Sequence, residues 1–161
     1  MERLWTPWRM EYIETQKDAG APEGCVFCAL LQGGGEERIL RHDADAFVTL
    51  AKFPYNPGHL LVLPTRHTGE LEDLTADENA NVASLLQRCI RALREVSQPH
   101  GFNVGLNLGR VAGAGIPDHL HWHVVPRWGG DTNFMPVVGE TRVLPELLAD
   151  TFAKLAPHFG D

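Results

Sequence analysis

The chain has no uninterrupted apolar run long enough to cross a bilayer, so nothing in it reads as a transmembrane span. Its first residues, Met1-Glu2-Arg3-Leu4-Trp5-Thr6-Pro7-Trp8, carry an acid early and lack the apolar segment of a secretion signal. Both features point to a cytosolic protein with no membrane partner. Basic residues are in deficit, 14 against 21 acidic ones, for a formal net charge of −7. That balance argues against the broad basic stripe a nucleic-acid surface needs. A small polyphosphate remains compatible, provided histidines, an arginine, backbone N–H groups or a metal supply local positive potential. Cysteine is scarce as well. Three thiols cannot all pair within one chain, and no internal repeat or low-complexity tract is visible.

The 161 residues suffice for one domain with its own core. Three parts are expected: an N-terminal extension over 1–24, a core over 25–128 and a helical tail over 129–161. The extension holds Trp5, Trp8 and Tyr12, read as anchors onto the body or a second subunit, with a short helix after Pro7. Cys25-Val26-Phe27-Cys28 is a tight turn entering an apolar segment. In a cytosolic protein such a pair is a metal or redox candidate rather than a structural disulfide. Cys89 falls on an apolar helix face and reads as an inert buried thiol.

Strands are expected over 38–42, 46–50 and 59–64, the last two separated by the turn residues Pro54, Pro57 and Gly58. Thr75-Ala76-Asp77-Glu78 has capping-box spacing. Behind it Val82, Leu85, Leu86, Cys89, Ile90, Leu93 and Val96 form one helical stripe that ends before Pro99. A strand over 102–108 leads into the glycine-rich loop 109–115. A C-terminal helix is expected with Leu144, Leu147, Leu148, Phe152 and Leu155 on its apolar face and Pro145 in its first turn.

The densest chemistry follows that loop. Three of the eight histidines, His119, His121 and His123, alternate with Leu120, Trp122 and Val124. On a strand this alternation aims the imidazoles at one face and the apolar residues at the core. Three buried imidazoles need partners, which a metal, a phosphate or a hydrogen-bond chain could provide. Histidine can also act as nucleophile, acid or base near neutral pH. A three-histidine zinc centre with an open water position is one reading, and a phosphate cradle completed by the loop N–H groups is another.

The run His119-Leu120-His121-Trp122-His123-Val124-Val125-Pro126-Arg127 resembles the signature of the histidine-triad nucleotide-binding family. Asn56-Pro57-Gly58-His59 with Leu61-Val62-Leu63-Pro64 is similar to its second block, and Cys25-Val26-Phe27-Cys28 to its zinc-bearing bacterial members. Leu4–Met10 and Arg127-Trp128-Gly129-Gly130-Asp131-Thr132-Asn133-Phe134 resemble the branch that holds the diadenosine tetraphosphate phosphorylases. The resemblance implies an α+β fold, an antiparallel sheet of about five strands with a long packing helix, in a homodimer or higher homo-oligomer. It implies catalytic roles for His121 as nucleophile, His123 at the phosphates and His59 in support. Asn107, Gly113, Gly115 and Ile116, with His121 and His123, form the expected nucleotide- and phosphate-binding set. It further implies a structural zinc on Cys25, Cys28, His67 and His119. The expected substrate is an adenine nucleotide or dinucleoside polyphosphate, cleaved through a nucleotidyl-histidine with inorganic phosphate as acceptor. Hydrolysis, phosphoramidate cleavage and non-catalytic nucleotide binding are the alternatives. Where relatives carry Asn or Asp for the ribose hydroxyls, this chain has Ala51, leaving Lys52 or a backbone group for that contact.

Overall fold

The computed structural model describes residues 24–33, 38–131 and 145–160. The element order is α1 (Val26–Leu31), β1 (Ile39–His42), β2 (Ala46–Leu50), β3 (Leu60–Pro64), α2 (Ala76–Ser97), β4 (Gly101–Leu106), β5 (Trp122–Arg127) and α3 (Leu148–Leu155). The five strands form one antiparallel sheet in the order β1-β2-β3-β5-β4, the α+β arrangement expected.

Long α2 is held at its start by the capping box. Thr75 Oγ1 accepts the Glu78 N–H, and the Glu78 carboxylate accepts the Thr75 N–H at 2.8 Å. Val82, Leu85, Cys89, Ala92 and Leu93 then pack on the Val48, Leu50, Leu60, Val62 and Val124 face of the sheet. Gln98, in the left-handed region at φ 46°, closes the helix before Pro99. The opposite face, built from Phe47, Ala51, Leu61 and Leu63, is covered by Phe27 and Leu30 of α1. Every residue of β2 and β3 is buried, because these strands are covered from both sides. The C-terminal turn docks on α2 through Arg88, whose guanidinium donates to the carbonyls of His158 and Gly160 and lies over the Phe159 ring.

Several boundaries differ from the sequence reading. The fifth strand starts at Trp122, so His119 and His121 precede it and only His123 lies within the ladder. The reason is a long-range contact: Leu120 N–H donates to Thr68 O at 2.7 Å, which diverts the backbone from strand pairing. The fourth strand ends at Leu106 rather than 108. Pro145 falls before α3, not in its first turn, and Leu147 is its N-cap and 72% exposed, so it is no part of the apolar face. The expected helix after Pro7, and Leu144, lie outside the described residues. Among those described, no helix is long and apolar enough to cross a membrane.

Candidate functional site

Two groups of side chains meet on the α1 side of the sheet. Register places them: Leu61 pairs with His123, so the His123 ring stands on the same face as the cluster beneath Phe27. The rings of His121 and His123 are 5.2 Å apart at 68°.

Hydrogen bonds fix the protonation of each ring. The Tyr55 N–H donates to His59 Nδ1 at 3.1 Å, so the neutral His59 ring carries its proton on Nε2. That proton is donated across 2.9 Å to His123 Nδ1. His123 is thereby left with its proton on Nε2, a buried donor. For His121 the order reverses. Its Nδ1 lies 2.8 Å from the His119 carbonyl, which can only accept, so Nδ1 carries the proton and Nε2 keeps the lone pair. Burial lowers the His121 pKa, opposed by the hydrogen bond to the His119 carbonyl, and so favours the neutral ring. The site therefore presents one basic nitrogen beside one N–H donor.

The sulfur-bearing group adjoins it. Cys25 caps the N-terminus of α1 and Cys28 lies in its first turn. His119 donates from Nε2 to the Pro64 carbonyl at 2.9 Å, which leaves Nδ1 as the acceptor facing Cys25 Sγ at 3.4 Å and Cys28 Sγ at 3.7 Å. His67 Nδ1 is 3.5 Å from Cys28 Sγ, and all four donor atoms lie within 4.8 Å of one another. Tetrahedral zinc with sulfur at about 2.3 Å and nitrogen at about 2.0–2.1 Å requires S···N edges of about 3.6 Å. The donor set and spacing thus fit a closed Cys2His2 site. Burial, and then the neighbouring Cys25, raises the Cys28 thiol, a preference that a cation between the sulfurs reverses. Burial lowers His119, which keeps its ring in the neutral, ligating form.

Of the expected residues, His59, His121 and His123 come together, and Cys25, Cys28, His67 and His119 form the second cluster. The three-histidine metal centre does not form, since His119 turns to the sulfurs while the other two rings bond elsewhere. Asn107 and His121 are the first residues beyond the Leu106↔Trp122 pair that ends the β4–β5 ladder. Gly113, at φ 98°, closes the short 3-10 turn Arg110–Ala112 in a conformation that suits glycine. Gly115 is exposed, and half-buried Ile116 packs against the Phe27 cluster. Ala51 is buried in that same cluster and offers no polar group to a ribose, while exposed Lys52 lies 5.5 Å from the Phe53 ring centroid.

Two residues that pack on these rings were not among the expected site residues. Phe27, between the two cysteines, sets its ring 5.5 Å from that of His119 and 5.2 Å from that of His121. Tyr55 stacks on His59 at 4.7 Å and on His123 at 5.5 Å. Tyr55 could have been suspected from its place one residue before the Asn56–His59 block, whereas Phe27 looks like any apolar spacer.

Comparison with known proteins shows the family. The HIT domain profile matches residues 33–130. An "AP-4-A phosphorylase" of Mycobacterium tuberculosis is 45% identical over 166 aligned residues, covering 99% of this chain and 85% of the relative. An uncharacterized HIT-like protein of Methanocaldococcus jannaschii is 31% identical over 107 residues, 66% of this chain and 81% of its own. Among solved structures, a Zn-bound histidine triad family protein from Mycobacterium smegmatis superposes with a TM-score of 0.69 at 30% identity, covering 84% of this chain and 92% of that one.

Proposed function

This chain belongs to the HIT domain family, and from that premise we propose that it is an enzyme that cleaves dinucleoside polyphosphates by nucleotidyl transfer through His121, with inorganic phosphate as the acceptor. Diadenosine tetraphosphate would give ATP and ADP. The observation that carries the reading is the different hydrogen bonding of the two neighbouring rings: His121 Nδ1 faces the His119 carbonyl, which can only accept, and His123 Nδ1 faces His59 Nε2, an arrangement that favours a lone pair on His121 Nε2 beside an N–H on His123 Nε2. The likeness to a phosphorylase over nearly the whole chain supports the choice of substrate and acceptor.

His121 Nε2 attacks the α-phosphorus. The bond from that phosphorus to the bridging oxygen breaks, and ATP departs with the electron pair. The adenylyl group is then held by a P–N bond, and the positive charge that develops on the ring is met at Nδ1–H by the His119 carbonyl. His123 Nε2–H donates to a phosphate oxygen as charge develops there. An oxygen of inorganic phosphate attacks the same phosphorus, the P–N bond breaks, ADP leaves and the His121 lone pair returns. Asn107 and the backbone N–H groups of Gly113, Gly115 and Ile116 are the further phosphate contacts in this reading.

Cys25, Cys28, His67 and His119 would hold zinc. The ion, when bound, contributes structure rather than a reacting group: it ties α1 to the segment that carries His121. A homodimer through the β4 edge completes the reading, supported by the exposure of Val104 on that edge strand. Analytical ultracentrifugation tests it, and a monomer at micromolar concentration refutes it.

The deciding experiment mixes the protein with diadenosine tetraphosphate, with and without phosphate. The expected products are ATP and ADP only when phosphate is present, and intact-mass analysis finds one adenylyl group on the wild type and none on His121→Ala. AMP with ATP would make water the acceptor. Nucleotide binding without adduct or turnover would make the protein a binding module. Turnover of adenosine phosphoramidate alone would point to phosphoramidate chemistry.

A further inference from the structure

The Arg127–Asp131 run follows the histidine segment and takes no part in the chemistry above. We infer that Asp131 is a positioning residue for His123, acting through Asn56 and His59. The inference rests on His123 facing the substrate phosphates as proposed.

The argument follows the hydrogen bonds inward. Asp131 Oδ2 accepts from Asn56 Nδ2 at 2.8 Å, from Arg127 Nε at 2.6 Å and from the Trp128 N–H at 3.3 Å, while Oδ1 accepts from Arg127 Nη2 at 3.0 Å. Arg127 is anchored in turn on Asn103 Oδ1 at 2.7 Å, so the carboxylate is braced from β4 as well as β5. Asn56 Nδ2 also donates to the Pro126 carbonyl at 3.0 Å. One amide thus bolts the 53–58 turn to the far end of β5. That turn delivers His59: the His59 N–H donates to Asn56 O, and the Tyr55 N–H donates to the His59 ring. The ring then meets His123 Nδ1 at 2.9 Å. Asn56 also sits two residues before Gly58, whose φ of +79° is a left-handed conformation that suits glycine in the turn leading to His59. Arg127, with Asn56 and the Trp128 N–H, holds the Asp131 carboxyl far below its ordinary range, so it stays a charged acceptor throughout the working pH range.

A carboxylate that merely stapled the fold would contribute stability and leave the rings alone. A positioning carboxylate sets the His59–His123 hydrogen bond, and a displacement of about 1 Å at such a group can slow the chemical step by about a hundredfold. The variants separate these roles. Asp131→Ala and Asn56→Ala each break the Asn56–Asp131 link; Asp131→Asn loses the charge but keeps an oxygen that can accept from Asn56.

The primary readout is nitrogen-15 NMR of the ring nitrogens in the full chain. The wild type should show a hydrogen-bonded His59 Nε2–H and a protonated His123 Nε2. Asp131→Ala and Asn56→Ala should shift or lose the His59 signal while the His121 Nδ1–H signal stays put. Asp131→Asn should keep the His59 signal. In the reaction with diadenosine tetraphosphate, adduct formation should slow about ten- to a hundredfold in the two alanine variants, with KM little changed. Unchanged ring signals in folded alanine variants would overturn the inference. Loss of the near-ultraviolet circular dichroism signal in both alanine variants would make the carboxylate a fold staple and overturn it too. If the wild type forms no adduct, the functional reading fails while the ring signals still decide this one.

Discussion

The carbonyl of His119 sits 2.8 Å from Nδ1 of His121, while the ring of the same His119 faces the Cys25 and Cys28 sulfurs at 3.4 and 3.7 Å. One residue thus reaches the candidate metal cluster with its side chain and the candidate nucleophile with its backbone. Phe27 adds a second link, because it lies between the two cysteines and packs on both rings.

Metal removal should therefore act on both stability and chemistry. We expect one zinc per chain by elemental analysis, lost on Cys28→Ser or on prolonged chelation. Loss should lower Tm by several degrees and slow adduct formation at His121. In a Cys28→Ala variant the same two changes should appear together. A chelated protein with unchanged Tm and unchanged adduct rate would refute the link.

His121→Asn keeps a polar side chain of smaller size at the position beside Phe27. We expect it to fold, with a Tm near that of the wild type. Its turnover should fall by on the order of a thousandfold or more, since the group that forms the covalent bond is gone. Retained turnover would exclude a nucleotidyl-His121 intermediate.

The contrast between what was and was not legible has a physical basis. The Thr75–Glu78 cap and the α2 stripe are local patterns, set within one or two helical turns, and they appear where the sequence places them. The strand boundary at His119–His121 was missed because alternation is blind to a competing partner. Thr68 O takes the Leu120 N–H, and Pro64 O takes the His119 ring, contacts that span about fifty residues. The four sulfur and nitrogen donors were reached through family resemblance; spacing alone left Cys25 and Cys28 ambiguous. The tie between Asn56 and Asp131, 75 residues apart, has no local signature at all.

Acid stability offers an independent measurement. The Glu78 carboxylate accepts Arg66 Nε at 2.8 Å and Arg66 Nη2 at 2.9 Å, besides its bond from Thr75 N–H. These contacts, Arg66 first, pull its pKa from 4.5 to about 2. The folded state then binds fewer protons than the unfolded state between those values. The stabilisation is complete above the unfolded pKa and is lost as pH falls through the folded one, a window from about pH 5 to about pH 2. Each pKa unit is worth about 1.4 kcal/mol. Arg66 is half exposed and screened by water, so about 1–2 kcal/mol is the expected yield. Glu78→Gln should lose about that much at pH 7 and flatten the stability profile across the window, by urea unfolding at stepped pH. An identical slope in both proteins would exclude this carboxylate as an acid sensor.

Gly69 tests how tightly the approach to the histidines is packed. A Cβ there would meet the Pro117 carbonyl oxygen at 2.6 Å and Asp118 Cα at 3.2 Å. Both are backbone atoms and cannot swing aside as a flexible side chain would. They lie directly before His119, and the neighbouring Thr68 O holds the Leu120 N–H. Gly69→Ala must therefore push the 117–118 backbone outward or distort its own strand of chain, at a cost of about 1–3 kcal/mol. Because His119 carries the next contacts on both sides, the displacement should also weaken metal retention, visible as faster zinc loss to a chelator. Ala at Gly101, where a Cβ would meet nothing within 4 Å, is the matched control and should leave metal retention unchanged. Equal zinc loss from the two variants would show that the Gly69–Pro117 contact does not hold the histidine segment in place.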